Sequence, residues 1–308
     1  MEAKKILFIG GKGGVGKSTT SAAMALKMAT AGKKTLLVST DPAHNIGHIF
    51  KMDLTSDKTK VMDKLYAIEI NPTEETKKYM ATVKENMRSI VQPTMIEEVN
   101  RQLDTASASP GADEAALFDK LISIMIEERE HFDHLIFDTA PTGHTIRLLS
   151  LPELMGVWIK GLLAKRHQTK ENYAKLLHDG ERIDDPIYEV LHARQKRFRQ
   201  VRNIMLDSEQ TDFMFVLNPE KLPIIETRNA IELLKKYDLT VSTIVVNRVL
   251  PDEDAGSFFK QRKRQESTFL KEIERIFQKE KLIYIPFFAH DMNAIEHLQV
   301  FASYLTKE

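Results

Sequence analysis

The sequence predicts a doubly wound α/β fold, a mostly parallel sheet with a phosphate loop and an inserted helical subdomain. Three observations predict it. Short apolar runs recur with helical segments between them, at residues 6–9, 35–38, 65–70, 134–137, 213–217, 243–246 and 282–285. These runs are continuously apolar rather than alternating, the pattern of strands covered on both faces. A glycine-rich turn joins the first run to an alanine-rich helical segment, the local order of a strand, loop and helix unit.

The first run leads into Gly10-Gly11-Lys12-Gly13-Gly14-Val15-Gly16-Lys17-Ser18-Thr19. Residues 11–18 satisfy the pattern G-x-x-x-x-G-K-[ST] at a strand-to-helix turn, where its mechanism needs it. Glycines let backbone N–H groups wrap a β-phosphate, Lys17 reaches the β- and γ-phosphates, and the Ser18 hydroxyl ligates Mg²⁺ at the positive end of the following helix. The segment from Gly11 to Thr19 is therefore read as binding a nucleoside triphosphate. Lys12 is a second lysine near the start of the loop with no obvious local task, a solvated loop residue on the bland reading.

The second run leads to Ser39-Thr40-Asp41-Pro42-Ala43-His44-Asn45, which puts a carboxylate just past a strand end on the same edge as the phosphate loop. Asp41 can orient or deprotonate an attacking water, and equally can be a helix N-cap followed by a first-turn proline. After the run at 134–137 comes Asp138-Thr139-Ala140-Pro141-Thr142-Gly143-His144. Here Asp138 either accepts a hydrogen bond from a Mg²⁺-bound water or caps the next helix, and Gly143 lets the loop rearrange with the γ-phosphate. His44, His48 and His144 lack the compact spacing of a metal site, and a bland reading of them is preferred.

Two regions interrupt the alternation and read as mainly helical, about 73–129 and 152–206, a helical subdomain inserted into a single nucleotide-binding domain of residues 1–308. Met80, Val83, Met87, Ile90 and Val91 share one helical face, as do Phe118, Leu121, Ile122, Met125 and Ile126. Ile187, Val190, Leu191, Phe198 and Val201 mark a later apolar side. The last segment, with Ile295, Leu298, Phe301, Ala302 and Leu305, reads as docking on the sheet or as an amphipathic anchor.

Composition narrows the function classes. The 308 residues are 42% hydrophobic, enough for a large core. The 44 basic residues balance 44 acidic ones, so no global field points to nucleic acid or an anionic membrane. No apolar run approaches the roughly 20 residues of a membrane span, and a cytoplasmic protein is expected. There is no cysteine, which removes disulfides, thiolate zinc sites, iron–sulfur ligation and thiol coordination of arsenite.

The pattern G-K-G-G-x-G-K-S resembles the deviant phosphate-loop ATPases, whose extra lysine reaches a partner's nucleotide, which implies that Lys12 acts in trans. Together with S-T-D-P-A-H-N and D-T-A-P-T-G-H-T-I-R-L-L-S-L-P, it resembles the family of arsenite-pump ATPases and the guided-entry ATPases that target tail-anchored membrane proteins. The likeness runs from residue 4 to about 305 and includes Ser109-Pro110-Gly111-Ala112-Asp113-Glu114. It implies ATP and Mg²⁺ as cofactors and a homodimer. It also implies Lys17 as the phosphate-loop lysine, Ser18 on Mg²⁺, Asp41 with Lys12 in catalysis and Asp138 on the magnesium side through water. Near base and ribose it places Glu220 and Asn247, with Pro286 opening a loop against adenine. Where targeting members carry a zinc-binding C-x-x-C pair, this chain has Gly256-Ser257-Phe258-Phe259, so no zinc site is expected. Phe258 and Phe259 are candidates for apolar dimer surface.

The resemblance implies a targeting ATPase that holds a hydrophobic membrane-protein client and meets a membrane receptor. Met80, Met87, Met95, Met125 and Met155 suit an adaptable groove, or they are core. The charged stretch at 165–185 departs from the apolar lid expected of a targeting member. An arsenite- or anion-pump ATPase is the alternative. A membrane- or DNA-associated positioning switch is the third reading, drawing on Arg194, Lys196, Arg197, Arg199 and Arg202 and on Lys260, Arg262, Lys263 and Arg264. No nucleic-acid partner is expected.

Overall fold

Continuously apolar segments form the middle of an eight-stranded sheet in the order β3-β4-β2-β5-β1-β6-β7-β8. The strands are β1 (Ile6–Gly11), β2 (Thr35–Ser39), β3 (Thr59–Met62), β4 (Leu65–Glu69), β5 (His134–Asp138), β6 (Thr211–Leu217), β7 (Val241–Val249) and β8 (Lys281–Pro286). Every residue of β1, β2 and β6 is buried, as two-sided coverage requires. All pairings are parallel except β3 with β4. The structure is a computed structural model that describes residues 4–41, 45–88, 96–107, 111–139, 186–252, 256–292 and 294–305.

The doubly wound α/β expectation is borne out, and each apolar run becomes a strand. β3 is the addition. Thr59-Lys60-Val61-Met62 is half-exposed and carries a lysine, so its alternation is too short and too polar to read. It folds back on β4 through Lys64, whose φ of 62° closes the turn, and it ends the sheet as an antiparallel edge. A lysine-bearing edge resists pairing with other chains.

Aromatic stacking locks the central register. Phe8 of β1 lies opposite Phe137 of β5 and Phe213 of β6, with ring centroids 4.7 and 5.2 Å apart. On the other face Leu7, Ile9, Leu37, Ile136, Met214 and Val216 meet α1 (Lys17–Thr30). Ala22, Ala23, Ala25 and Ala29 keep this helix slim where it lies on the sheet.

The chain divides into two compact units. One comprises Met1–Asn71, Glu127–Arg147 and Met205–Glu308 and holds the sheet; the other comprises Pro72–Ile126 and Leu148–Ile204. Besides α1, the first contains α2 (Asn45–Phe50). The second contains α3 (Pro72–Arg88), α4 (Ile96–Ser107) and α5 (Ala112–Ser123), which continues into a π-helical turn at Ile124–Glu128. It also holds most of α6 (Pro186–Leu206). Its core gathers Phe118, Leu121, Ile122 and Met125 with Phe198 and Val201, the Phe118 and Phe198 rings lying 5.5 Å apart. Met125 is thus core in this conformation. Met80 is half-buried, and Met87, Met95 and Met155 lie outside the described side chains. Of the basic face on α6, Arg197 donates to Ser123 at 2.7 Å and Arg194 to the Tyr79 hydroxyl at 3.0 Å, so part of it is used in packing.

The first unit continues with α7 (Lys221–Lys235), α8 (Gly256–Ile276) and α9 (Ile295–Tyr304). Leu298, Phe301, Ala302 and Leu305 of the last segment join the core around α1, so it docks rather than anchors in a membrane. No described helix is long and apolar enough to cross a membrane. Phe301 is among the largest fully buried side chains. Phe301→Ala is expected to lower stability by about 3–5 kcal/mol in urea unfolding. A loss below about 1 kcal/mol would mean that α9 is only loosely attached.

Candidate functional site

β1 lies between β5 and β6, where successive connections leave the sheet in opposite directions, so its carboxyl end opens on the crevice that a doubly wound fold offers to ligands. The chain turns there through glycines that no other residue can replace without strain. Gly14 and Gly16 have φ of 83° and 98°, the left-handed region. A Cβ on Gly16 would stand 2.4 Å from Asn247 Nδ2, and one on Gly11 2.3 Å from the Val216 carbonyl oxygen. Gly16 caps α1, whose first N–H groups have no partner within the helix. Buried Lys17 folds back across the loop, its Nζ donating to the Lys12 carbonyl at 3.4 Å. The loop is a preformed cradle of N–H groups with a cation at its mouth.

Beside it, sheet register aligns three polar strand ends: Asp138 of β5 pairs with Ser39 of β2, and Ser39 with Glu69 of β4. Asp138 is fully buried. It accepts from Ser21 at 3.2 Å, from Ser39 at 3.5 Å and from Ser18. Burial pushes its carboxyl up to about 6, with the nearby Asp41 carboxylate pushing the same way against the Ser18 hydroxyl, the Lys17 ammonium and Ser21. Ser39 Oγ also accepts from the Asp41 backbone N–H at 3.3 Å, which ties the start of the Asp41 loop to the same carboxylate. α2 is described from Asn45, and the N–H groups of Ile46 and Gly47 donate to Glu69. An under-compensated buried carboxylate bonded to the Ser18 hydroxyl suits a divalent cation held by Ser18 with Asp138 behind it.

The nucleoside-side residues separate. Asn247 Nδ2 donates to the Val15 carbonyl at 2.8 Å while its Oδ1 accepts from the Arg248 N–H at 2.9 Å, so it braces the phosphate loop. Glu220 instead lines a cavity of about 260 Å³ with Asn218, Arg248, Arg262 and Phe287, past the carboxyl ends of β6, β7 and β8. Glu220 pairs with Arg262 at 3.3 Å. Asn218 Oδ1 is buried without a hydrogen-bond partner, a condition that costs about 1–3 kcal/mol until a donor arrives. Pro286 ends β8 opposite Val249, and it is the next residue, Phe287, that lines the cavity.

Lys12 is not idle: its half-exposed Nζ pairs with Glu226 of α7 at 2.9 Å. Phe258 is 82% exposed on the first turn of α8 and Phe259 is half-buried. His48 is exposed, while His44, His144 and Gly143 lie outside the described residues. No group of three or more metal-ligating side chains occurs among the described residues. The sequence does not mark Ser21, Ser39, Glu69, Asn218 and Glu226 as site residues, and Arg262 enters it only as part of a basic stretch. Ser39 stands inside the S-T-D-P-A-H-N motif and Asn218 directly follows the apolar run at 213–217, so both are within reach of the sequence, whereas Glu69, Glu226 and Arg262 come close only through the tertiary fold.

The buried charge has a measurable sign. A carboxyl near 6 when folded and 3.8 when unfolded binds its proton more tightly in the native state, so it favours folding below about pH 4 and loses that contribution as pH rises through 6. In protein free of metal and nucleotide, Asp138→Asn should therefore raise stability at pH 7.5, by up to about 3 kcal/mol. The gain should vanish near pH 4 in urea titrations. A loss of stability at pH 7.5 would show the carboxylate to be well compensated.

The sequence profile of the family described as Anion-transporting ATPase matches residues 4–307. The chain is similar to "Putative arsenical pump-driving ATPase 2" of Aquifex aeolicus, 34% identical over 98% of this chain and 99% of that one. It is also similar to "ATPase ASNA1 homolog 1" of Paramecium tetraurelia, 30% identical over 98% and 92%, and to "ATPase GET3A" of Arabidopsis thaliana, 30% identical over 98% and 83%. With a nucleotide cradle, a buried strand-end carboxylate and full-length similarity in agreement, the chain belongs to the anion-transporting ATPase family.

Proposed function

We propose that this chain is a Mg²⁺-dependent ATPase working as a nucleotide-switched homodimer, and that it carries the apolar segments of tail-anchored membrane proteins. The observation that carries the ATPase part is the meeting of the glycine cradle, Lys17, Asp138 and the start of the Asp41 loop at one sheet edge. On this reading the second compact unit is a helical insert in a single nucleotide-binding domain.

The cradle N–H groups and Lys17 hold the β- and γ-phosphates. Ser18 and Asp138 would hold Mg²⁺, which supplies charge neutralisation between the phosphates when bound. Asp41 orients water for in-line attack, a role worth about 10²–10⁴ in rate. Asn247 keeps the loop in shape through Val15. The unpartnered Asn218 oxygen suits the exocyclic amine of adenine, and Glu220 suits a ribose hydroxyl. Lys12 must leave Glu226 to reach a partner's nucleotide. Their half-exposed pair is worth about 1 kcal/mol at most, so contacts to phosphate can displace it.

The targeting part rests on the likeness of the motifs to guided-entry ATPases. A pump-driving role is favoured by the family description and by the Aquifex relative's name. Against arsenite, the chain has no thiolate for a soft trivalent centre.

Asp41→Asn should bind ATP within about threefold of the unaltered protein and lose at least about 100-fold in turnover. Loaded with ATP and Mg²⁺, it should run as a dimer by light scattering and keep a protein with one C-terminal apolar segment soluble. Lys12→Ala should remain monomeric under the same conditions. Undiminished turnover in Asp41→Asn contradicts the hydrolytic role, and an ATP-loaded monomer contradicts the dimer. A soluble dimer that fails to hold such a segment contradicts targeting alone.

A further inference from the structure

Glu69 is a carboxylate only 3% exposed, placed last in β4 and opposite Ser39 in the register. Its Oε1 accepts from the backbone N–H groups of Ile46 at 3.0 Å and Gly47 at 3.3 Å, at the start of α2. Strand β4 is itself pinned, with Glu69 N–H donating to the Thr55 carbonyl and Ile70 N–H to the Ser39 carbonyl. Gly47 fits this joint closely: a Cβ there would stand 2.8 Å from the Met52 carbonyl oxygen and 3.1 Å from Glu69 Oε2. Along the chain, described contacts therefore fix both sides of the Asp41 segment: Ser39 Oγ at the Asp41 N–H, and the Glu69 carboxylate at the N–H groups of Ile46 and Gly47.

We infer that Glu69 is a positioning residue for hydrolysis, fixing the far end of the loop from which Asp41 addresses the attacking water. This rests on the reading that Asp41 orients that water. The physical reason is tolerance: a displacement of about 1 Å in a group that aligns water costs on the order of 100-fold in rate while leaving phosphate binding alone. Glu69 has no part in holding phosphate, which belongs to the loop after β1. An anion at a helix start is favourable and holds the helix in one place. Loss of the carboxylate leaves the N–H groups of Ile46 and Gly47 without it and α2 free to shift.

The test is steady-state phosphate release with full-length protein, ATP and Mg²⁺, alongside nucleotide binding and thermal unfolding. Glu69→Ala should reduce kcat by about 10-fold or more with KM for ATP changed less than about threefold, and Glu69→Gln, which keeps an acceptor oxygen, should recover most of the rate. Gly47→Ala disturbs the same joint from the helix side and should give the same split, which covers the case in which Glu69→Ala does not fold. Normal kcat in folded Glu69→Ala or Gly47→Ala, with Asp41→Asn inactive, overturns the role of Glu69 and leaves that of Asp41 standing. Normal turnover in Asp41→Asn overturns both. Equal failure of Glu69→Gln and Glu69→Ala with a lowered unfolding temperature makes Glu69 a structural residue only, and also overturns the inference.

Discussion

The carboxylate of Asp138 is buried at the carboxyl end of β5 with hydroxyls from α1 and β2 around it, and the rest of the site is arranged about its charge. Its partners come from separate elements: Ser18 and Ser21 from the helix that follows the phosphate loop, and Ser39 from the strand that leads to Asp41. Taking a carboxylate out of water is costly, and hydroxyl donors offset only part of that cost. The raised proton affinity of Asp138 is the visible remainder. A divalent cation held beside Ser18 would remove it. On the proposed reading, stability given up at this position is what leaves the site able to bind metal with nucleotide.

The glycine loop meets a second constraint. The backbone passes so close to Val216 and Asn247 that side chains at Gly11 and Gly16 are excluded, and Asn247 in turn fastens Val15. The cradle is thus held by β6 and β7 as well as by its own sequence, and preorganisation of this kind is what lets N–H dipoles favour a transition state without rearranging. Lys12 is arranged otherwise. A half-exposed ion pair with Glu226 holds it within its own chain, weakly enough to be exchanged for a phosphate. Tight packing around the glycine loop and a loose tether on Lys12 are what the proposed switch needs, a site that binds first and closes afterwards.

Much of this was legible in the sequence because burial and backbone geometry leave local marks. Strands covered on both faces must be continuously apolar, so the run at 213–217 announces β6, and glycines with positive φ announce the loop. Asp41 and Asp138 are visible because a carboxylate directly after an apolar run lies at a strand end. β3 was not legible: half-exposed and interrupted by Lys60, it gains its strand character from β4 alone. Nor were Glu69 and Glu226, two carboxylates among 44 acidic residues that acquire meaning only when the sheet brings β4 to α2 and the loop to α7. Family likeness places Asn247 near the base, and in the structure its amide also braces the Val15 carbonyl of the phosphate loop.

The claim at the centre is that Asp138 completes a divalent-cation site with Ser18 once nucleotide is in the cradle. Binding of Mn²⁺ to the ATP-loaded protein, followed by electron paramagnetic resonance in the Asp41→Asn background to prevent turnover, tests it most directly. Replacing Asp138 with Asn there should weaken Mn²⁺ binding by about 10- to 100-fold while metal-free ATP binding stays within a few-fold. Unchanged Mn²⁺ affinity would show that the buried carboxylate serves the fold and not the metal.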